Sequence, residues 1–137
     1  LGANMMQTLK VLKEANEYKG PSIVIAYSPC ISHGIKGGMT NSLDMEKKAV
    51  ECGYFPLFRR DPINGFTLDS KNVDFSKYFD FLELQTRYSS LKKVNETSQE
   101  LLEENKKYCI SAWRDFTEEN LSNLCMLSEY MKIPECE

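Results

Sequence analysis

Cys30-Ile31-Ser32-His33 sets a thiol and the chain's single imidazole three residues apart. Thiolates and imidazoles are nucleophiles, proton carriers and metal ligands, so chemistry in this sequence is first sought here. Glycines follow at 34, 37 and 38, and glycine lets a backbone come close to a partner. A structural zinc site would need a second Cys/His pair at suitable spacing, and the sequence has none. A nucleophilic Cys–His pair is conceivable, but residues this close on one loop often cannot adopt catalytic geometry. Cys30 is therefore read as the chemical residue and His33 as a hydrogen-bonding residue that orders the loop. The plain alternative is that Cys30 is one more small buried residue. Gly34-Ile35-Lys36-Gly37-Gly38 precedes a predicted helix, as a phosphate cradle would, but it matches neither common glycine-rich phosphate motif.

The remaining cysteines (52, 109, 125 and 136) make an odd set of five with wide, irregular spacing. A secreted disulfide framework is usually even and dense, so a reducing compartment is expected, and Asn95-Glu96-Thr97 reads as a chance glycosylation match. A net charge of −3 with scattered lysines gives nucleic acid no electrostatic footing and anionic membranes none either. The longest apolar run, Ile23 to Tyr27, is far too short to span a bilayer, and with no charged segment leading into an apolar one at the start, no secretory signal is expected. The start at Leu1-Gly2-Ala3-Asn4 reads as the middle of a longer protein.

The elements that must position Cys30 follow from periodicity. Met5, Leu9, Leu12 and Ala15 recur at helical spacing behind an Asn4 cap, and Gly20-Pro21 stops that helix. Ser22 to Tyr27 is continuous and β-branched, which predicts a strand buried on both faces in a parallel sheet. Cys30 then lies just past a strand's C-terminal end, where open α/β sheets hold ligands. A second helix is expected over Ser42 to Cys52 with Gly53 at its C-cap. Tyr54 to Arg59 and Phe66 to Leu68 should form a hairpin around the Asp61-Pro62 and Asn64-Gly65 turns. Asp74 or Ser76 starts a helix to about Leu91 that carries Phe75, Tyr78, Phe79 and Leu82. The aromatic set of Phe75, Tyr78, Phe79 and Phe81 is read as core rather than a cofactor box. A polar helix from Glu96 to Asp115 follows, and Thr117 should cap a last one with Leu121, Leu124, Leu127 and Met131. Asp69 and Asp74 show no sign of pairing. The predicted fold class is α/β: a partial parallel sheet with flanking helices and a short hairpin, then an α-helical C-terminal tail. The division falls near residue 73, giving segments 1–73 and 74–137.

Several strings resemble one family. They are Gly2-Ala3-Asn4-Met5-Met6-Gln7-Thr8-Leu9-Lys10, Gly20-Pro21-Ser22, and Ala26-Tyr27-Ser28-Pro29-Cys30-Ile31-Ser32-His33-Gly34-Ile35. Ala49-Val50-Glu51-Cys52-Gly53-Tyr54, Phe66-Thr67-Leu68-Asp69-Ser70-Lys71 and Arg87-Tyr88-Ser89-Ser90-Leu91 continue the match in order. Residues 1 to 92 thus resemble the pyruvate:ferredoxin (flavodoxin) oxidoreductases, and residues 1–73 resemble the C-terminal portion of their thiamine-diphosphate-binding domain.

The resemblance implies a parent enzyme that oxidatively decarboxylates pyruvate to acetyl-CoA and CO2. Its cofactors would be thiamine diphosphate, Mg2+ and 4Fe–4S clusters. Its partners would be coenzyme A and pyruvate as substrates, ferredoxin or flavodoxin as acceptor, the remainder of the parent polypeptide, and a second copy in a homodimer. In that family the Cys of the Ser-Pro-Cys loop ligates the cluster nearest the thiamine, which carries over to Cys30 as an iron–sulfur ligand. The family's Gly-Asp-Gly…Asn motif and its C-x-x-C-x-x-C runs are not in this sequence. The segment alone is accordingly expected to bind neither thiamine diphosphate nor iron and to turn over nothing. The expected compartment is the cytoplasm or a hydrogenosome-type organelle. Two competing readings are a non-catalytic docking module or degenerate relative within a larger assembly, and a fusion to a different electron-acceptor domain.

Overall fold

The computed structural model describes residues 2–131, with side chains through residue 122 apart from that of residue 92. Helix α1, Met5–Glu17, starts where Asn4 takes an extended backbone and accepts a hydrogen bond from the Gln7 N–H at 3.0 Å. After a turn through 39–41, α2 runs over Ser42–Glu51. Gly53 ends it in the left-handed region at φ 76°, donating to the Val50 carbonyl. A Cβ at Gly53 would also run into the Phe75 ring and Val73.

The hairpin is present but shorter than its sequence suggests: β1 is Phe58–Asp61 and β2 is Gly65–Leu68, antiparallel, with Phe58 opposite Leu68 and Asp61 opposite Gly65. Asp61 closes the turn by accepting from the Ile63 and Asn64 N–H groups at 2.9 and 2.7 Å. Residues 54–57 lie outside the ladder, where Tyr54 and Phe55 turn inward to the core.

The predicted parallel sheet is not found. Among the described residues the two hairpin strands are the only paired strands, and residues 21–30 carry no regular structure. A strand needs neighbours to take up its backbone donors and acceptors, and no described residue pairs its backbone with residues 22–27. Ile23 and Ile25 are consequently 89% and 75% exposed. The apolar residues of α1 (Met5, Met6, Leu9 and Leu12) are exposed as well.

The predicted helix from residue 74 to 91 is broken. A 3-10 turn over 75–77, begun by Asp74 accepting from the Ser76 N–H, leads into α3, Tyr78–Leu84. Two single turns follow, α4 (Thr86–Ser89) and α5 (Leu91–Val94). The break falls at Gln85, whose backbone is extended (φ −95°, ψ 120°) because it bridges to Ile35. Beyond it the two expected helices are one, α6, Ser98–Met131. Thr117 is interior to α6, its hydroxyl donating back to the Trp113 carbonyl at 2.9 Å, so it caps nothing. The side chains of Leu124, Leu127 and Met131, expected on a final apolar face, lie outside the described residues, as do those of Cys125 and Cys136.

One core draws on both halves of the chain. Ile35, Met45, Ala49 and Cys52 pack with Tyr78, Phe81, Leu82 and Leu102. Tyr78 and Phe81 are buried, as expected for core aromatics. A second apolar cluster joins the hairpin to α6, where Phe58, Phe66 and Phe116 stack with ring centres 5.1–5.6 Å apart. No helix among the described residues is long and apolar enough to cross a membrane.

Candidate functional site

Cys30 sits in a loop whose two ends are fastened to one residue. On the entering side, Tyr27 packs its ring against Tyr54, Phe55 and Phe81, and its hydroxyl donates to the Gln85 Oε1 at 3.2 Å. Burial foremost, with Tyr88 nearby, pushes the Tyr27 phenol up to about 12, so it stays a donor. On the leaving side, Ile35 is buried and its backbone pairs with that of Gln85. The Lys36 N–H donates to the Leu84 carbonyl at 2.8 Å, and the Thr86 N–H to the Gly34 carbonyl at 3.3 Å. Gln85 is itself buried, and its Nε2 has no partner among the described residues. Lys36 and Glu83 add a salt bridge at 2.7 Å outside this clamp.

Between the anchors the chain makes one tight turn. The Gly34 N–H donates to the Cys30 carbonyl at 2.9 Å, with Gly34 at φ 72°. That conformation suits glycine and brings His33 back over Cys30. The Cys30 Sγ and His33 Nδ1 atoms are 3.1 Å apart. The two side chains are therefore in hydrogen-bond contact. The sulfur remains half-exposed. The His33 side chain above all, and then the nearby backbone of His33 and Ser32, lower the Cys30 thiol to about 7. The loop thus favours a thiolate and leaves it reachable from outside.

The other two described cysteines differ. Cys52 is buried just past the end of α2, its Sγ 3.6 Å from the Ala49 carbonyl, and burial pushes its thiol up to about 11. Cys109 lies on α6 within 3.7 Å of the Tyr78 hydroxyl. Among the described residues, no three His, Cys, Asp or Glu side chains come together to hold a metal ion. Cys30 is one donor, fit to be a single thiolate of a site whose other ligands come from elsewhere.

Two residues escaped the sequence reading. Gln85 had no mark beyond being a polar residue within an apolar helical pattern. Asp69, which gives no sequence sign of pairing with Asp74, is held by the Arg59 guanidinium in two bonds at 2.8 and 2.9 Å, while Arg59 also reaches Glu14 at 2.9 Å. Gln7 donates to the same carboxylate at 3.0 Å. This network ties α1 to the hairpin and is structural, well away from Cys30 in sequence and partners.

The sequence relatives are oxidoreductases that act on pyruvate. No protein-family model matches the chain. Among curated proteins, it is 50% identical over 99 residues to the pyruvate:ferredoxin oxidoreductase of Moorella thermoacetica, covering 68% of this chain and 8% of that protein. It is 44% identical over 100 residues to a pyruvate-flavodoxin oxidoreductase of Klebsiella pneumoniae, covering 69% of this chain and 8% of that protein. A mitochondrial pyruvate dehydrogenase (NADP(+)) of Euglena gracilis is 40% identical over 105 residues, covering 72% of this chain and 6% of that protein. The chain is a relative of one segment of the pyruvate:ferredoxin and pyruvate-flavodoxin oxidoreductases, and its match spans 6–8% of the length of these three relatives.

Proposed function

We propose that this chain is the C-terminal part of the thiamine-diphosphate-binding domain of a 2-oxoacid:ferredoxin oxidoreductase, in which Cys30 supplies one thiolate to the 4Fe–4S cluster nearest the thiamine. The carrying observation is the Cys30 sulfur: half-exposed, favoured as a thiolate, and held in a loop clamped at both ends by Gln85. Iron–sulfur clusters take thiolate ligands, and one chain segment need not supply all of them. In the parent the remaining thiolates, Mg2+ and the thiamine diphosphate would be held by other parts of the polypeptide. Bound there, the cluster would carry electrons away from the oxidised 2-oxoacid. This chain's part would be to hold one sulfur in place and to limit its movement.

The relatives also bear on which step the segment serves. Their names give three different acceptors, ferredoxin, flavodoxin and NADP(+), yet they share this segment at 40–50% identity. A segment common to all three fits a step upstream of the acceptor. Pyruvate and coenzyme A are the proposed substrates of the parent, ferredoxin or flavodoxin its acceptor, and a homodimer its assembly. The cytoplasm, or a hydrogenosome-type organelle, is the proposed compartment. Residues 1–73 would form the domain portion and 74–137 a helical extension.

In the full-length protein, Cys30→Ser should weaken or abolish one cluster signal in electron paramagnetic resonance while the others persist. If every cluster signal and the iron content stayed unchanged, the ligand role is wrong. Isothermal titration of the isolated chain with Mg2+ and thiamine diphosphate should give no heat of binding, and micromolar binding would contradict that part.

A second reading, a docking module without chemistry of its own, draws support from the exposed apolar residues of α1 and of 23–25. In the enzyme reading the remainder of the parent polypeptide covers them, so the two readings differ in whether Cys30 binds iron.

A further inference from the structure

We propose that His33 tunes the cluster that Cys30 ligates, by donating a hydrogen bond from Nδ1 to the Cys30 sulfur and so raising that cluster's reduction potential. The inference rests on the reading of Cys30 as a cluster ligand. With a free thiol, the 3.1 Å contact could run either way, S–H to nitrogen or N–H to sulfur, depending on which ring nitrogen carries the proton. Ligation leaves the sulfur without a proton and able only to accept. The one direction then open is from His33 Nδ1–H to Cys30 Sγ, which also fixes the tautomer.

Reduction adds negative charge that the cluster shares with its ligand sulfurs. A donor aimed at a ligand sulfur stabilises the reduced form more than the oxidised form, and hydrogen bonds to sulfur are an established control of cluster potential. Placement of the ring comes from the backbone: the turn closed by the Gly34 N–H on the Cys30 carbonyl folds His33 back onto its neighbour. His33 is exposed, so replacing it empties no core site. Loss of the imidazole should thus shift the potential without losing the cluster. His33 is in this sense a positioning and tuning residue, while Cys30 is the ligand.

The test is a redox titration of the full-length, cluster-loaded protein, followed by electron paramagnetic resonance. His33→Leu should move one cluster's midpoint to a more negative potential, with iron content and the other midpoints unchanged. His33→Gln, which keeps an N–H donor on a side chain of similar reach, should recover part of the shift. Unchanged midpoints in His33→Leu overturn the inference, and so does loss of a cluster, which would make His33 a ligand or a structural need. Cys30→Ser, measured alongside, separates the two claims. If it alters one cluster while His33→Leu moves nothing, only the tuning role fails; if it alters none, the ligand reading fails.

Discussion

Ile35 and Gln85 pair through their backbones, although they are far apart in the chain. That single bridge interrupts the helix expected after Asp74 and clamps the far end of the Cys30 loop. The same Gln85 takes the Tyr27 hydroxyl on the near side. Gln85→Ala removes the acceptor from a half-buried phenol and leaves space in the core. It should destabilise the chain by about 1–3 kcal/mol in urea denaturation. It should also speed amide exchange at Gly34, and unchanged exchange there would show that the loop does not depend on Gln85.

Gly53 lies in the left-handed region with Phe75 and Val73 against the place a Cβ would occupy. Gly53→Ala should cost about 1–3 kcal/mol through strain and crowding together. Gly34 shares the backbone conformation but has open space around it, so Gly34→Ala should cost only the conformational part, about 1 kcal/mol. Thermal melts of the two variants, compared directly, test the difference. Equal losses would mean that the Phe75 contact is unimportant.

Burial opposes ionisation of Asp69, but hydrogen bonds from Arg59 and Gln7 and the charges of Arg59 and Lys10 outweigh it and hold the carboxyl below its ordinary 3.8. A carboxyl depressed in the folded state stabilises the fold fully above the unfolded value of about 4. That contribution fades as pH falls through the depressed value. Asp69→Asn should lose about 1–3 kcal/mol at pH 7. It should also flatten the acid limb of a stability-against-pH curve below about pH 4. An acid limb as steep as before would assign that pH dependence to other carboxylates.

Iodoacetamide at neutral pH should modify Cys30 well before Cys52. The Cys30 thiol is half-exposed and drawn down to about 7, whereas Cys52 is buried and pushed up to about 11. Peptide mass spectrometry over a time course reads both sites. Comparable rates at the two would mean that the core around Cys52 opens as readily as the loop. Replacing His33 with Leu should slow the Cys30 reaction by removing the largest of the interactions that favour its thiolate.

What could be read from the sequence was local. Asn4 and Gly53 mark helix ends through their own backbone preferences, and Asp61 with Gly65 marks the hairpin turn, so these features appear where expected. Cys30 stood out by residue type and by the glycines beside it, and the family resemblance needed only the order of residues. Tertiary structure decided the rest, because the deciding partners are distant in the chain. Residues 22–27 have strand-forming side chains, yet a strand exists only where another backbone pairs with it, and none of the described residues does. The helix after Asp74 breaks at Gln85 because Ile35 claims that backbone. Thr117, a good cap in isolation, is absorbed into a continuous helix. The closeness of Cys30 and His33 is by contrast local, made by the turn that the Gly34 N–H closes on the Cys30 carbonyl; tertiary structure decides where that turn is anchored, through Tyr27 and Ile35 to one buried glutamine.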